Sequence, residues 1–166
     1  MARYLLGIAV SIFMFAATSG FAENAPLAEA MAEKSIGRAD APVTMIEYSS
    51  LTCPHCASFH KDALPSIKRD FVDTGKVRIV FWDFPLGNLA MAAAMVARCS
   101  GQKNYIPMID AFFQSQETWA RSNTPFDAIA GIARLSGMNI DDLENCLDDQ
   151  ALLDALQNKK REAAEV

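Results

Sequence analysis

The chain has no excess of positive charge: 15 Lys and Arg stand against 20 Asp and Glu, for a net charge of −5. An acidic chain offers no electrostatic footprint to nucleic-acid phosphates. Its one basic cluster, Lys159-Lys160-Arg161, is interleaved with acids in a helical tail and reads as a solvated face. Long apolar runs are scarce as well. Apart from Leu5 to Ala17, no segment could span a membrane. Repeats and low-complexity tracts are absent, and 51% apolar residues exclude a disordered polymer. With 166 residues, the chain suffices for one globular domain with a real core.

What is there begins with Arg3, the apolar stretch Leu5 to Ala17, and Thr18-Ser19-Gly20-Phe21-Ala22. This is the layout of a secretory signal cleaved after Ala22, with an uncleaved anchor or a buried core helix as the other readings. Removal of residues 1–22 takes away only Arg3 among the charges, so the mature chain becomes more acidic. Export puts the four cysteines in a compartment, the periplasm, where disulfides form and persist.

The densest chemical signal is Cys53-Pro54-His55-Cys56, which follows the apolar run Val43 to Tyr48 and opens a helical pattern. Pro54 suits the first helical position, where its missing N–H costs nothing, and Cys53 then lies beside the unpaired N–H groups of the helix end. The positive end of the helix dipole and a protonated His55 are both expected to lower the Cys53 pKa below about 8.5. Each unit of lowering favours the thiolate by about 1.4 kcal/mol. Haem attachment wants a His directly after the second cysteine, and Ala57 stands there. Zinc wants four ligands; His60 could supply a third, but no second pair lies nearby. A redox pair is the best supported reading, with metal binding and an inert disulfide as its rivals, and no metal or cofactor is expected.

Residues 23–39 read as a polar, Ala-rich N-terminal arm with a short helical pattern at Pro26 to Lys34 and a turn at Ile36-Gly37. Val43 to Tyr48 reads as a strand, Pro54 to Thr74 as a helix, and Lys76 to Phe81 as a second strand. The helix carries Phe59, Ala63, Ile67 and Phe71 on one face and is expected to kink at Pro65. The result is a right-handed βαβ unit with parallel strands and the two cysteines at the carboxyl end of the first. From Asn88 onward the pattern is helical: Asn88 to Cys99, Tyr105 to Gln114, Pro125 to Leu135, Ile140 to Leu147 and Ala151 to Glu165. Thr124 is expected to cap the third of these, with Pro125 first in the helix.

Glu47 lies six residues before Cys53 in an otherwise apolar strand. A buried carboxylate is costly unless something uses it, and Glu47 could take the proton of Cys56 when that thiol attacks a mixed disulfide. A hydrated Glu47 near the strand end fits the pattern equally well. His60 reads as an ordinary surface or semi-buried histidine. Trp82, Phe84, Phe112, Phe113 and Trp119 are assigned to the core rather than to a binding surface. Cys99 and Cys146, in two different helices, are expected to pair in an oxidising compartment. Closing that loop would stabilise by about 4 kcal/mol. Two separate buried thiols are the alternative.

The runs Asp40-Ala41-Pro42-Val43-Thr44, Glu47-Tyr48-Ser49-Ser50, Thr52-Cys53-Pro54-His55-Cys56 and Phe84-Pro85-Leu86 closely resemble the DsbA-like thiol:disulfide oxidoreductases of bacteria. The resemblance covers residues 40–166 and implies an α/β, thioredoxin-like βαβ unit followed by a helical insertion at about 88–150. It implies that Cys53 is the exposed nucleophile, that His55 stabilises its thiolate, that Cys56 is the buried resolving thiol and that Glu47 is the buried acid. Cys99 and Cys146 stand where members with a second cysteine pair carry it.

The implied partners are reduced, newly exported client proteins and a DsbB-like membrane oxidase that restores the disulfide. The family continues with a cis-proline loop, two antiparallel strands and a helix. None of these lies within residues 1–166, and Thr124-Pro125, before a helix, does not take the cis-proline role. The domain therefore reads as incomplete, with an unpaired edge on the strand carrying Glu47. A catalytically weak binding or scaffold remnant, or a disulfide reductase or isomerase, are the rival functional readings.

Overall fold

The structure, a computed structural model, describes residues 26–165; the expected signal segment, residues 1–22, lies outside them. A short helix α1 (Leu27–Met31) leads into strand β1 (Lys34–Ile36), and β2 (Val43–Ser49) follows. The helical pattern expected through Lys34 thus ends three residues early, and its last residue, Lys34, opens a strand instead. Ile36 pairs with Ile79 across an antiparallel ladder, and Lys34 with Phe81. Gly37 makes the turn that follows with φ +95°, and a Cβ there would lie 2.7 Å from the Val77 carbonyl oxygen.

A helical run then crosses to β3 (Val77–Asp83), which lies parallel to β2 in the register Glu47 to Phe81. The sheet order is β1-β3-β2, so among the described residues β2 has a partner on one side only. Val43, Ile46 and Tyr48 of β2 are exposed. Met45, Glu47 and Ser49 alternate with Ile46 and Tyr48 and turn the other way, as the period of two requires.

The helical run comprises α2 (Pro54–Ser58), a π-helical turn (Phe59–Ala63), α3 (Leu64–Ile67) and a second π-helical turn (Lys68–Val72). Pro65 has no N–H to give to the preceding turn, and the chain accommodates it by widening: the Leu64 N–H reaches back to the Phe59 carbonyl. The buried residues are Ala57, His60, Leu64 and Val72, with Phe59 and Ile67 at the edge and Phe71 exposed. This corrects the stripe drawn through Phe59, Ala63, Ile67 and Phe71. The reason is that a histidine, not an apolar residue, occupies the inward position, and it finds polar partners there.

The helical block contains α4 (Asn88–Cys99), α5 (Tyr105–Gln114), α6 (Gln116–Trp119), α7 (Pro125–Ala133), α8 (Ile140–Leu147) and α9 (Gln150–Ala163). Phe112, Phe113, Trp119, Leu143, Leu152 and Leu156 are fully buried in one core with Ile79 and Phe81 of the sheet. Trp82 and Phe84 are half-buried instead, and Lys159 lies over the Trp82 ring. Thr124 precedes the Pro125 that starts α7, but its side chain makes no capping hydrogen bond. Asn139 and Asp149 do cap, accepting from the N–H groups of Asp142 and Leu152.

A buried ion pair ties the layers together. Arg98 of α4 donates to Asp83 at the end of β3 at 2.6 and 2.8 Å, and to the carbonyls of Ala30 and Ala32 beyond the sheet. Tyr105 donates its hydroxyl to the other oxygen of Asp83 at 2.9 Å. Each buried charge therefore has hydrogen-bond partners, the condition under which such a pair is tolerated.

Candidate active site

The two cysteines sit where β2 hands over to α2. Cys53 is the residue before the helix, in extended conformation at φ −81° and ψ 119°, and Pro54 takes the first helical position. The Cys53 N–H donates to the Ser50 carbonyl at 3.0 Å, and the Cys53 carbonyl accepts from the Ala57 N–H at 3.1 Å. The buried Gln116 of α6 donates its amide to the carbonyls of Leu51 (2.7 Å) and Cys53 (3.0 Å). The Ser50 hydroxyl accepts from the Leu86 N–H at 3.1 Å. Gln116 was not visible as a site residue in the sequence: it belongs to a four-residue helix and acts 63 positions away from Cys53.

Cys53 and Cys56 are free thiols, both half-buried, with the His55 side chain exposed between them. Their environments differ. Partial burial pushes the Cys53 thiol up, but backbone hydrogen bonding from Cys56 and His55 and the thiol of Cys56 outweigh it, so its pKa is lowered overall. His55 contributes through its backbone at the helix end. Cys56 is pushed up to about 11, chiefly by burial; the Ser50 backbone opposes this, while hydrogen bonding and negative charge at Cys53 and the negative charge of Glu47 add to it. The two thiols of the pair are therefore shifted in opposite directions, Cys53 toward the thiolate and Cys56 toward the thiol.

Glu47 is enclosed rather than hydrated: its side chain is 9% exposed, and Oε1 accepts from His60 Nε2 at 2.8 Å. Oε2 is buried with no hydrogen-bond partner. Glu47, His55 and Cys56 line one open cavity of about 370 Å³, together with Met45, Tyr48 and Phe59. His60 is fully buried, which corrects the expectation of an ordinary surface or semi-buried histidine. Its side chain is 1% exposed, its ring stacks on Phe113 with centroids 4.1 Å apart, and its Nδ1 lies 3.1 Å from Asp110 Oδ1. Both ring nitrogens are thus engaged by carboxylates, which removes His60 as a third ligand beside the cysteines. Among the described residues, no group of three or more His, Cys, Asp and Glu side chains is placed to hold a metal ion.

Cys99 of α4 and Cys146 of α8 form a disulfide with Cα atoms 6.1 Å apart. It is buried between helices and contributes nothing to the lining of the cavity beside Cys56. No helix among the described residues is long and apolar enough to cross a membrane.

A protein-family model described as thioredoxin matches residues 29–166. A Rickettsia typhi protein named as a protein-disulfide oxidoreductase is 32% identical over 122 residues, which are 73% of this chain and 45% of that protein. A Bacillus anthracis protein named as disulfide bond formation protein D is 32% identical over 89 residues, 51% of this chain and 41% of that protein. The chain thus spans about half the length of the curated relatives it matches. Among solved structures, α-DsbA1 of Wolbachia pipientis is 36% identical with a TM-score of 0.75, over 81% of this chain and 69% of that one. BdbD of Bacillus subtilis, at 20% identity and a TM-score of 0.69 over 84% of this chain and 76% of that one, shares the fold.

Proposed function

The chain belongs to the thioredoxin family, among its DsbA-like members, and from this we propose that it is an exported thiol:disulfide oxidoreductase that introduces disulfides into newly exported proteins. The observation that carries this reading is the asymmetry of the pair: Cys53 at the helix end has a lowered pKa, and Cys56 behind it a raised one. Stabilising the Cys53 thiolate stabilises the reduced form, which makes the disulfide form the stronger oxidant. An oxidising direction requires a lowered Cys53 pKa.

In the working cycle, a client thiolate attacks Sγ of Cys53 in the Cys53–Cys56 disulfide. That bond breaks, a mixed disulfide to Cys53 forms, and Cys56 leaves as a thiolate that takes up a proton. A second client thiolate attacks the client sulfur of the mixed disulfide and expels Cys53 as a thiolate. The client has lost two electrons and the pair has gained them. Reoxidation belongs to a DsbB-like membrane partner: its disulfide is attacked by Cys53, and Cys56, deprotonated by Glu47, then closes the pair. His55, exposed beside Cys53, faces the client.

Export to the periplasm is supported by the layout of residues 1–22, and by the Cys99–Cys146 disulfide, a bond that persists in oxidising compartments. That second disulfide is assigned a structural role. The test mixes the oxidised full chain with a reduced peptide carrying two thiols. One peptide disulfide should form per protein, Cys53 and Cys56 should become free thiols, and Cys56→Ser, first loaded at Cys53 as the glutathione mixed disulfide, should exchange that glutathione for a one-thiol peptide and hold the peptide on Cys53. A peptide that stays reduced and an empty trap would instead identify a scaffold in which the pair is inert.

A further inference from the structure

Glu47 takes part in the exchange cycle, but His60, which adjoins it, and Asp110 beyond that ring do not. Glu47 on β2 and Asp110 on α5 approach opposite nitrogens of one imidazole, at 2.8 and 3.1 Å. The ring is closed in by Phe113 at 4.1 Å, Phe59 at 6.0 Å and Phe81 at 6.1 Å between centroids. Its charged neighbours are Glu47 from β2 and Asp110 from α5, while β3 presents the apolar Phe81 to it. On its own helical run, Cys56 lies one turn earlier. The Asp110 side chain is half exposed, so this end of the row meets water, whereas Glu47 ends in the cavity beside Cys56.

A carboxylate enclosed to this degree would ordinarily be neutralised unless a cation accompanied it. The imidazole is that cation. A hydrogen bond from Nε2 also occupies only one of the two oxygens, and the other, Oε2, is buried and unengaged.

We propose that His60, itself held by Asp110, is a positioning residue for disulfide exchange: it keeps Glu47 ionised and oriented, with Oε2 open to the thiol of Cys56. The inference rests on the reading of Cys53 and Cys56 as the redox pair. The step it serves is closure of the pair. The Cys56 S–H gives its proton to Glu47 Oε2, and the Cys56 thiolate attacks Sγ of Cys53 in a mixed disulfide. The Cys53–Cys56 bond forms as the bond to the bound thiol breaks. That thiol leaves as a thiolate carrying two electrons, and Glu47 passes its proton to water. The raised pKa of His60, about 9, keeps the imidazole charged at neutral pH, and the negative charge of Glu47 reaches Cys56 as one cause of its raised pKa.

The test reacts the reduced full chain with oxidised glutathione and follows, by acid quench and mass, formation and first-order loss of the Cys53–glutathione adduct from about pH 5 to 9. In His60→Gln, the midpoint of the loss step should move up by about one pH unit, with a roughly tenfold slower step at neutral pH. Asp110→Asn should move the midpoint the same way by less. Adduct formation, set by the Cys53 thiolate, should keep its pH dependence in both. A purely structural role for His60 would lower the amount of folded protein without moving the midpoint.

Profiles for both variants that coincide with wild type, while Glu47→Gln slows the step, would overturn the proposal and leave Glu47 standing. Should Glu47→Gln also leave the step unchanged, the proposal falls with the role of Glu47. Absence of any adduct in the wild type would count instead against the redox reading. If His60→Gln does not fold, the half-exposed Asp110→Asn decides the matter alone.

Discussion

Glu47 accepts a hydrogen bond from His60 at 2.8 Å, which joins the strand that leads into the two cysteines to the helical run that leaves them. Residues 13 apart in the chain thereby fix the wall of the cavity behind Cys56. The pairing also makes stability depend on pH. Burial pulls the His60 pKa down, but hydrogen bonds and charge from Asp110 and Glu47 carry it up to about 9.

In the unfolded chain, His60 returns to about 6.5, so the folded state binds the proton more tightly. The resulting stabilisation is complete below about pH 6.5 and is lost as the pH rises through about 9, a change on the order of 3 kcal/mol. Urea unfolding at about pH 6 and about pH 9.5 should show this loss in the wild type and little of it in His60→Gln. Equal losses in the two proteins would mean that the ion triad does not form.

Cys99→Ala with Cys146→Ala removes a cross-link between residues 47 apart. The denatured chain gains freedom, and the folded state should lose about 4 kcal/mol or less in chemical unfolding. The pair at Cys53 and Cys56 should keep its exchange activity at temperatures where the variant remains folded, because α4 and α8 contribute no residue to the two cysteines' surroundings beyond packing. Loss of exchange activity in the folded variant would give the second disulfide a redox role.

Arg98→Met leaves Asp83 buried without its cation, with only the Tyr105 hydroxyl to accept from. Breaking a buried pair from one side is expected to cost about 3–5 kcal/mol. Thermal or urea unfolding measures it. A cost below about 1 kcal/mol would place Asp83 in contact with water and contradict the packing of α1 and α4 over the end of β3.

The sequence made the local elements legible because their signals are local. The helices Asn88–Cys99, Tyr105–Gln114 and Ile140–Leu147 carry their own apolar spacing and end where it ends. Pro54 after Cys53 marks a helix start in any context. What was hidden depends on distant partners. The three residues of β1 have no alternating pattern of their own and become a strand only against β3, with Lys34 opposite Phe81. Gln116 gains its role by reaching the carbonyls of Leu51 and Cys53.

His60 reads as an ordinary surface or semi-buried histidine until Asp110, 50 residues away, is brought to its other nitrogen. The buried acid at position 47 could be suspected from a carboxylate in an apolar run. Its cation could not, since it comes from a residue that the sequence pattern leaves at the surface or half-buried.

The central claim is that the two cysteines, three residues apart, differ sharply in proton affinity because one lies at a helix end and the other behind it. Thiolate absorbance of the reduced full chain, followed against pH with Cys53→Ser as the control, tests this most directly. Two separated transitions are expected, the first below the free-thiol value of about 8.5 and absent in Cys53→Ser, and the second near 11. Two thiols titrating together near the free value would contradict it.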